Sequence, residues 1–322
     1  MKRLGLVLGF CLAVLHGGAM AEVPSDPLAW LGRIANAGQR LNYVGTFVYQ
    51  SGSSVETSRI THKVEGGQEF ERLESLDGSP REVIREGMLV RCLLPEQRVV
   101  IHDEVSGRRV FPGRLPLAPM ALAENYRIRK GELARVAGME VQTLVLEPRD
   151  DLRYGHTLWA ERETGLLLKA RTTDHNDRLI DQFSFSEVRI GGEIDPALLA
   201  SRFSDTEDWR QLDARGQRLG KADSGWLIDE NLSGYVLTSV MRRHLGAGRE
   251  QTLHLVFSDG LVSVSVFIEP VIEDGAAGLG PLASGSFNVF KRVLDGHLIT
   301  VLGEVPEAAV RRIGEALRPG GG

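Results

Sequence analysis

The first periodic segment of the chain has the spacing of an α-helix. Asp26 and Pro27 offer an N-cap and a first helical residue, and apolar residues then follow at Leu28, Leu31 and Ile34. This spacing places the apolar side chains on one stripe. The segment is therefore predicted to be an amphipathic helix that lies on a larger apolar surface.

After this helix the apolar positions alternate with a period of two, which is typical of strands. Short turns with Gly, Asn, Asp or Pro separate the segments, and no helical segment lies between most of them. Such an order predicts an antiparallel meander, and this many strands must curl or close. The main segments are 43–50, 55–64, 81–94, 98–105, 126–136, 139–148, 156–172 and 178–190.

The composition changes at residues 204–225, which are polar and charged and are predicted to be a linker. Residues 226–319 then form a second, smaller unit. Its predicted elements are a strand within 234–245, a hairpin around Asp259-Gly260, a flexible loop at 273–286, a hairpin around Asp295-Gly296, and a helix after Pro306 with Ala309, Val310, Ile313 and Leu317 on one stripe. An antiparallel sheet with one helix is an α+β domain.

Residues 1–21 have the pattern of a signal peptide. Lys2 and Arg3 precede a short apolar run, and Ala19-Met20-Ala21 matches a cleavage site. The mature protein is therefore expected to be exported, with a large domain at 22–203. Cleavage removes two positive charges and changes the formal net charge from −5 to −7 (−5 − 2), which disfavours nucleic acid as a partner.

No motif for a cofactor, a metal ion or a nucleophile is present, so no cofactor, metal site or catalytic residue is assigned. The best acidic cluster is Glu147, Asp150 and Asp151, beside Arg149 and Arg153. It suits acid–base chemistry or calcium, but also a charge-compensated loop. We therefore expect a binding protein and keep a hydrolase with scattered catalytic residues as an alternative.

Two sets of residues are candidates for binding. The curved sheet can enclose an apolar ligand such as a lipid, and the aromatic residues predicted to line that lumen are Phe47, Tyr49, Trp159, Phe183 and Phe185; they equally suit a filled core. A protein partner is predicted at Arg242 and Arg243, of which at least one must point outward from a strand, and at Phe267 on the polar face of its strand. Reversal of both arginine charges is expected to weaken binding and to leave stability nearly unchanged.

Several stretches, in order along the chain, resemble the MucB/RseB family of periplasmic regulators. They are NYVGTFVYQ at 42–50, HTLWAERETGLLLKA at 156–170, GYVLTSVMRR at 234–243, SDGLVSVSVFIEP at 258–270 and TVLGEVP at 300–306. The resemblance covers essentially the whole mature chain, including both domains.

The resemblance implies a fold, a location and a partner. The large domain would be an unclosed antiparallel β-barrel with covering helices, like the lipoprotein carriers LolA and LolB. In the periplasm, the protein would bind the periplasmic region of a membrane anti-sigma factor such as MucA or RseA, largely through the smaller domain. It would thereby prevent site-1 cleavage and keep the envelope-stress sigma factor inactive. Lipid A, lipopolysaccharide or lipoprotein acyl chains would release the complex.

A periplasmic carrier or chaperone for lipoproteins or lipids is the alternative that uses the same lumen. The second domain argues against it, because a simple carrier needs only the curved sheet. Whether the chain forms a homo-oligomer and whether its two domains move relative to each other are left open.

Overall fold

The computed structural model describes residues 24–104, 120–228, 232–245, 251–271 and 279–320. The signal peptide predicted at 1–21 lies outside these ranges. The described helices are α1 (Pro27–Arg40), α2 (Met120–Asn125) and α3 (Glu307–Glu315). None of them is both long and apolar enough to cross a membrane.

Strands make up most of the described chain. The first twelve are β1 (Tyr43–Ser51), β2 (Ser54–Glu65), β3 (Gln68–Ser75), β4 (Glu82–Glu86), β5 (Leu89–Leu94), β6 (Val99–Glu104), β7 (Tyr126–Val136), β8 (Met139–Pro148), β9 (Gly155–Glu161), β10 (Leu167–Thr173), β11 (Leu179–Ile190) and β12 (Arg210–Asp213). The others are β13 (Gly216–Arg218), β14 (Trp226–Ile228), β15 (Val236–Arg243), β16 (Thr252–Ser258), β17 (Ser263–Pro270), β18 (Gly280–Ser284), β19 (Phe287–Leu294), β20 (His297–Gly303) and β21 (Leu317–Pro319).

The large domain is one twelve-stranded sheet in the order β12-β6-β5-β4-β3-β2-β1-β11-β10-β9-β8-β7. Two antiparallel meanders, β1–β6 and β7–β11, meet where β1 pairs with β11. Strands β12 and β7 are the two edges and do not pair with each other, so the sheet is unclosed. The prediction of an unclosed, mainly antiparallel sheet is confirmed.

Helix α1 covers the β7–β11 half of this sheet. Asp26 caps it as predicted, because its Oδ2 accepts the N–H of Ala29 at 3.0 Å, and Pro27 is the first helical residue. Trp30 and Leu31 are fully buried and pack with apolar residues of β1, β7, β8, β9 and β11. The helix therefore provides the lid that the sheet's apolar face requires.

The C-terminal domain is a seven-stranded sheet in the order β13-β15-β16-β17-β20-β19-β18. Helix α3 packs on β19 and β20 through Ala309, Val310 and Ile313, all buried, as the predicted stripe requires. Strands β14 and β21 pair beside the helix. The predicted α+β architecture is confirmed, but residues 280–284, predicted as part of a flexible loop, form strand β18 at the sheet edge.

The two Asp-Gly turns differ. The β19–β20 hairpin closes at Leu294 opposite His297, and Asp295 and Gly296 both have positive φ (46° and 73°), as a primed two-residue turn needs. The β16–β17 hairpin closes at Ser258 opposite Ser263, so its loop has four residues, 259–262, instead of the predicted tight turn. This loop contacts the large domain, as described below.

Residues 204–225, predicted as a linker, contribute one short strand to each of the two sheets. Strand β12 pairs in parallel with β6 of the large sheet, and β13 pairs with β15 of the smaller one. The connection between the domains is therefore held by backbone hydrogen bonds at both ends.

Candidate functional site

Three of the five predicted lumen residues come together inside the large domain. Phe47, Phe183 and Phe185 pack edge to face, with ring centroids 5.7–6.4 Å apart. Each is at most 5% exposed and belongs to the core beneath α1. Edge-to-face packing at this distance stabilises a core beyond simple burial. These side chains thus fill the interior of the sheet.

The other two predicted lumen residues are partly buried at the margin of this core and pack against it. Tyr49 is opposite Phe183 on the same face of the sheet, and its hydroxyl donates to Glu304 Oε1 of the C-terminal domain at 3.1 Å. Trp159 follows the buried Leu158 on β9, and neighbours in a strand point to opposite faces, so Trp159 projects from the other face of the sheet. Lys169 Nζ lies 4.8 Å from the centroid of its ring. Trp159 therefore lies on the face of the sheet opposite to Phe183.

A row of apolar residues extends the concave face beyond the core. The row begins at Ile60 of β2, which is fully buried. It continues across β3, β4, β5 and β6 through one partly exposed residue on each strand: Leu73, Val83, Cys92 and Ile101. Side chains directly opposite across paired strands share a face. The unclosed half of the sheet therefore presents half-buried apolar surface next to a filled core.

A buried ion pair joins the two domains. Arg153, from the β8–β9 loop, donates from Nε to Asp259 Oδ2 at 3.0 Å, and both side chains are 0% exposed. The hydroxyl of Tyr126 donates to the same oxygen at 3.0 Å. Burial, and then the charge of Asp259, raises the pKa of Tyr126 well above its usual range, so the phenol remains a donor.

The four-residue loop around Asp259 inserts into the large domain. Asp259 Oδ1 accepts the backbone N–H groups of Leu261 and Val262 at 2.9 and 3.0 Å. The side chain of Leu261 then packs in the core of the large domain. One carboxylate thus shapes the turn with one oxygen and binds the other domain with the second, which explains why the hairpin loop is wider than predicted.

The two predicted partner-binding arginines have different environments. Arg242 is exposed. Arg243 is 6% exposed, and its Nη1 donates to both carboxylate oxygens of Asp103 at 3.1 and 3.2 Å and to the carbonyl of Ala214 at 2.6 Å. Arg243 therefore links the two domains and does not lie on open surface.

The burial of Arg243 and its contact with Asp103 predict that a change at this position lowers stability, which differs from the expectation drawn from the sequence. Arg243→Ala should reduce the free energy of unfolding by about 1–3 kcal/mol, because it removes charge-assisted hydrogen bonds and leaves acceptors of the other domain unpaired. Arg242→Ala, the neighbouring control, should change it by less than about 0.5 kcal/mol. Urea unfolding of both variants measures the difference, and equal values would contradict a structural role for Arg243.

Phe267 lies on the face of the C-terminal sheet opposite α3. It is partly exposed, and its ring stacks on that of His254 with centroids 4.4 Å apart. The β15–β16 side of this face is buried, with Val256 at 0% exposure. Toward β18 the face is more open, and its apolar side chains are Phe267, Leu282, Val289, Val293, Leu298 and Leu302. Lys291 and Thr300 lie among them, and Glu269 is opposite Leu298.

The predicted acidic cluster is dispersed into separate ion pairs. Glu147 pairs with Arg129 at 2.9 Å, and Asp150 pairs with Arg153 at the junction. Asp151 is exposed. Across the described ranges, no group of three His, Cys, Asp or Glu residues is arranged to hold a metal ion. The geometry gives this loop a role in the domain junction.

Sequence reasoning missed the residues that join the domains. Arg153 appeared only as a compensating charge and Asp259 only as a turn former, while Asp103 had no distinguishing signal. A buried Asp or Arg has the same local pattern as an exposed one, because its partner lies far away in the sequence.

Two protein-family models, one for each domain, match the sequence of the chain. The model described as the MucB/RseB N-terminal domain matches residues 26–203, and the MucB/RseB C-terminal domain matches residues 220–318. Together they cover most of the sequence, one domain after the other.

Characterised relatives are similar over nearly their full length. The chain is 33% identical to the sigma factor AlgU regulatory protein MucB of Pseudomonas aeruginosa, over 98% of this chain and 96% of that protein. It is 23% identical to the sigma-E factor regulatory protein RseB of Escherichia coli, over 99% of each. A crystal structure of MucB in complex with MucA(peri) has 28% identity and a TM-score of 0.70, over 92% of this chain and all of that one.

Proposed function

This chain belongs to the MucB/RseB family of sigma factor regulatory proteins, and on that premise we propose that it binds the periplasmic region of a membrane anti-sigma factor. By occupying that region it keeps the site-1 protease away, so the envelope-stress sigma factor stays bound and inactive. The site of action is the periplasm, in agreement with the signal peptide predicted at 1–21.

One observation carries the proposal. A relative with the same two-domain fold, at 28% identity over 92% of this chain, is known in complex with MucA(peri). The likeness spans both domains, which supports binding of a similar partner by this chain. A polypeptide partner also suits a protein that has partly exposed apolar side chains on its sheet faces.

Protection of the partner follows from mass action. A protease that needs the free segment cleaves at a rate proportional to the unbound fraction, which falls as 1/(1 + [regulator]/Kd). The regulator needs no chemical step of its own. Binding alone therefore accounts for regulation by a member of this family.

The half-buried apolar row on the concave face supports a second part of the proposal, in which acyl chains of lipid A, lipopolysaccharide or a mislocalised lipoprotein bind there. A lipid that binds the free protein better than the complex must weaken anti-sigma binding by the same free energy. Couplings of about 1–3 kcal/mol correspond to roughly 5- to 150-fold changes in affinity.

Calorimetry with the mature chain and the periplasmic region of the anti-sigma factor from the same organism tests both parts. We expect a Kd on the order of 1 µM or lower, equivalent to about −8 kcal/mol, and slower cleavage of the bound segment by the site-1 protease. Lipid A micelles should raise the Kd within the range given above.

Each part has its own contradicting result. A Kd unchanged by saturating lipid removes the lipid-sensing part alone. Absence of binding removes the regulator, and recovery of many lipoproteins from a periplasmic extract would then favour a carrier.

A further inference from the structure

The face of the C-terminal sheet opposite α3 carries more exposed apolar surface than the fold requires. Leu282 of β18 is 43% exposed, and Val293 of β19 is 42% exposed. Val289 of β19 and Leu302 of β20 lie opposite each other, and both are partly exposed. Exposed apolar residues scattered singly are ordinary, but a continuous patch on one sheet face is typical of a contact surface.

Lys291 lies in the middle of this patch. It is on β19 opposite Thr300 of β20, which is opposite Phe267 of β17, so all three share the face. Leu282 and Val289 lie on one side of the lysine along the sheet, and Val293 and Leu298 lie on the other.

The charge of Lys291 is not matched within the described chain. No carboxylate of the described residues comes within ion-pair distance of its Nζ, whereas Arg243 on the same sheet pairs with Asp103 at 3.1 Å. Its side chain is half-buried. A cation amid apolar side chains can gain most from an anionic group that arrives together with apolar groups and displaces water.

We propose that this face binds an apolar segment of the anti-sigma factor that carries one carboxylate, with the carboxylate on Lys291. This inference rests on the function proposed above and adds the contact surface and the chemistry of the partner segment. The face spans four adjacent strands, so a polypeptide can cover Leu282, Val293 and Phe267 at once. Among the described strands, β18 is the edge of this sheet, with no neighbour on its outer side.

The test measures the Kd of the mature chain for the anti-sigma periplasmic region by fluorescence anisotropy at low and physiological salt. Lys291→Glu should raise the Kd at least about tenfold, because it places two like charges together. Lys291→Met should raise it less and reduce its salt dependence. Leu282→Asp should also raise the Kd severalfold.

Two matched controls lie on the α3 side of the same domain. Arg312 of α3 and Leu227 of β14 are both exposed. Arg312→Glu and Leu227→Asp should leave the Kd unchanged, which separates a local contact from a change in net charge or solubility. Thermal melting of every variant confirms that the fold is intact.

A charge exchange identifies the partner group. Each carboxylate residue of the anti-sigma segment is changed to lysine in turn. One such change should lower the Kd of the Lys291→Glu variant for the segment at least about tenfold.

The outcomes separate the two proposals. If the unchanged chain binds the segment and the Lys291 and Leu282 variants bind it equally well, the inference is overturned and the proposed function stands. If the unchanged chain binds no anti-sigma segment, both fall. If the variants instead alter self-association by sedimentation, or binding to vesicles of anionic phospholipid, the face serves another occupant and the inference is overturned.

Discussion

Replacing Arg153 with methionine should lower the free energy of unfolding of the protein by about 3–5 kcal/mol, because Arg153 holds the domain junction together. The change leaves Asp259, which is 0% exposed, without its ion-pair partner between the two domains. Methionine keeps most of the volume, so the cost comes mainly from the uncompensated charge. The same change removes the contact of the guanidinium with the Tyr235 ring, 4.8 Å away. Urea unfolding and hydrogen exchange in the β16–β17 loop measure the loss.

Arg149→Met is the matched control, because Arg149 is an exposed arginine of the same loop. It should change the free energy of unfolding by less than about 0.5 kcal/mol. The double variant Arg153→Met with Asp259→Asn should be less destabilised than the sum of the single variants, since neither charge then remains. Equal melting curves for Arg153→Met and Arg149→Met would show that the ion pair does not hold the domains together.

Replacing Glu71 with glutamine should stabilise the large domain at pH 8 and have a much smaller effect at pH 5. Glu71 is 7% exposed and lies in a cross-strand row with Tyr43, His62 and Arg85. Burial, which outweighs the attraction of His62 and Arg85, raises the pKa of the Glu71 carboxyl to about 7. Glutamine has the same shape and carries no charge at either pH.

The direction follows from proton linkage. The ordinary pKa of a glutamate carboxyl is 4.5, so between that pH and about 7 the folded protein holds the proton more tightly than the unfolded chain does. The stability that this protonated group provides is complete below the unfolded pKa and is lost as the pH rises through the folded pKa. The gain from Glu71→Gln at pH 8 is therefore at most roughly 3 kcal/mol.

Thermal melting from pH 5 to pH 8 measures this effect. Glu132→Gln, an exposed glutamate on β7, is the control and should show the same pH dependence as the unchanged protein. A Glu71→Gln variant that melts in parallel with the unchanged protein over the whole range would contradict a raised pKa for Glu71.

Much of the fold could be predicted because its signals are local. The helix after Asp26 and Pro27 and the two-residue turn at Asp295-Gly296 both formed as expected, since capping and positive φ depend on neighbouring residues. Strand β18 was not expected. Its Gly and Pro content is typical of a loop, and only pairing with β19 makes residues 280–284 extended.

The candidate sites could be predicted only in part. Alternation placed one of the two adjacent arginines outward, and Arg242 is indeed exposed, while the contact of Arg243 with Asp103 spans 140 residues. Trp159 and Phe183 lie on opposite faces of the sheet. This could not be predicted from alternation alone, because it also depends on the register of β9, β10 and β11, which no local pattern determines. The partner and lipid roles of all these residues stay predictions.

By itself the sequence determined that this is a two-domain, mainly antiparallel β protein, and its resemblance to the MucB/RseB family identified the class of regulator. Period, turn chemistry and capping suffice for this, because they act between neighbours in the chain. Only the tertiary structure decided which charged residues are buried. Arg153 and Asp259, 106 residues apart, form an ion pair between the domains, whereas Lys291 stays without a carboxylate among the described residues. The free energy of a charge depends on burial and on what lies opposite it, and both are set by packing between distant segments.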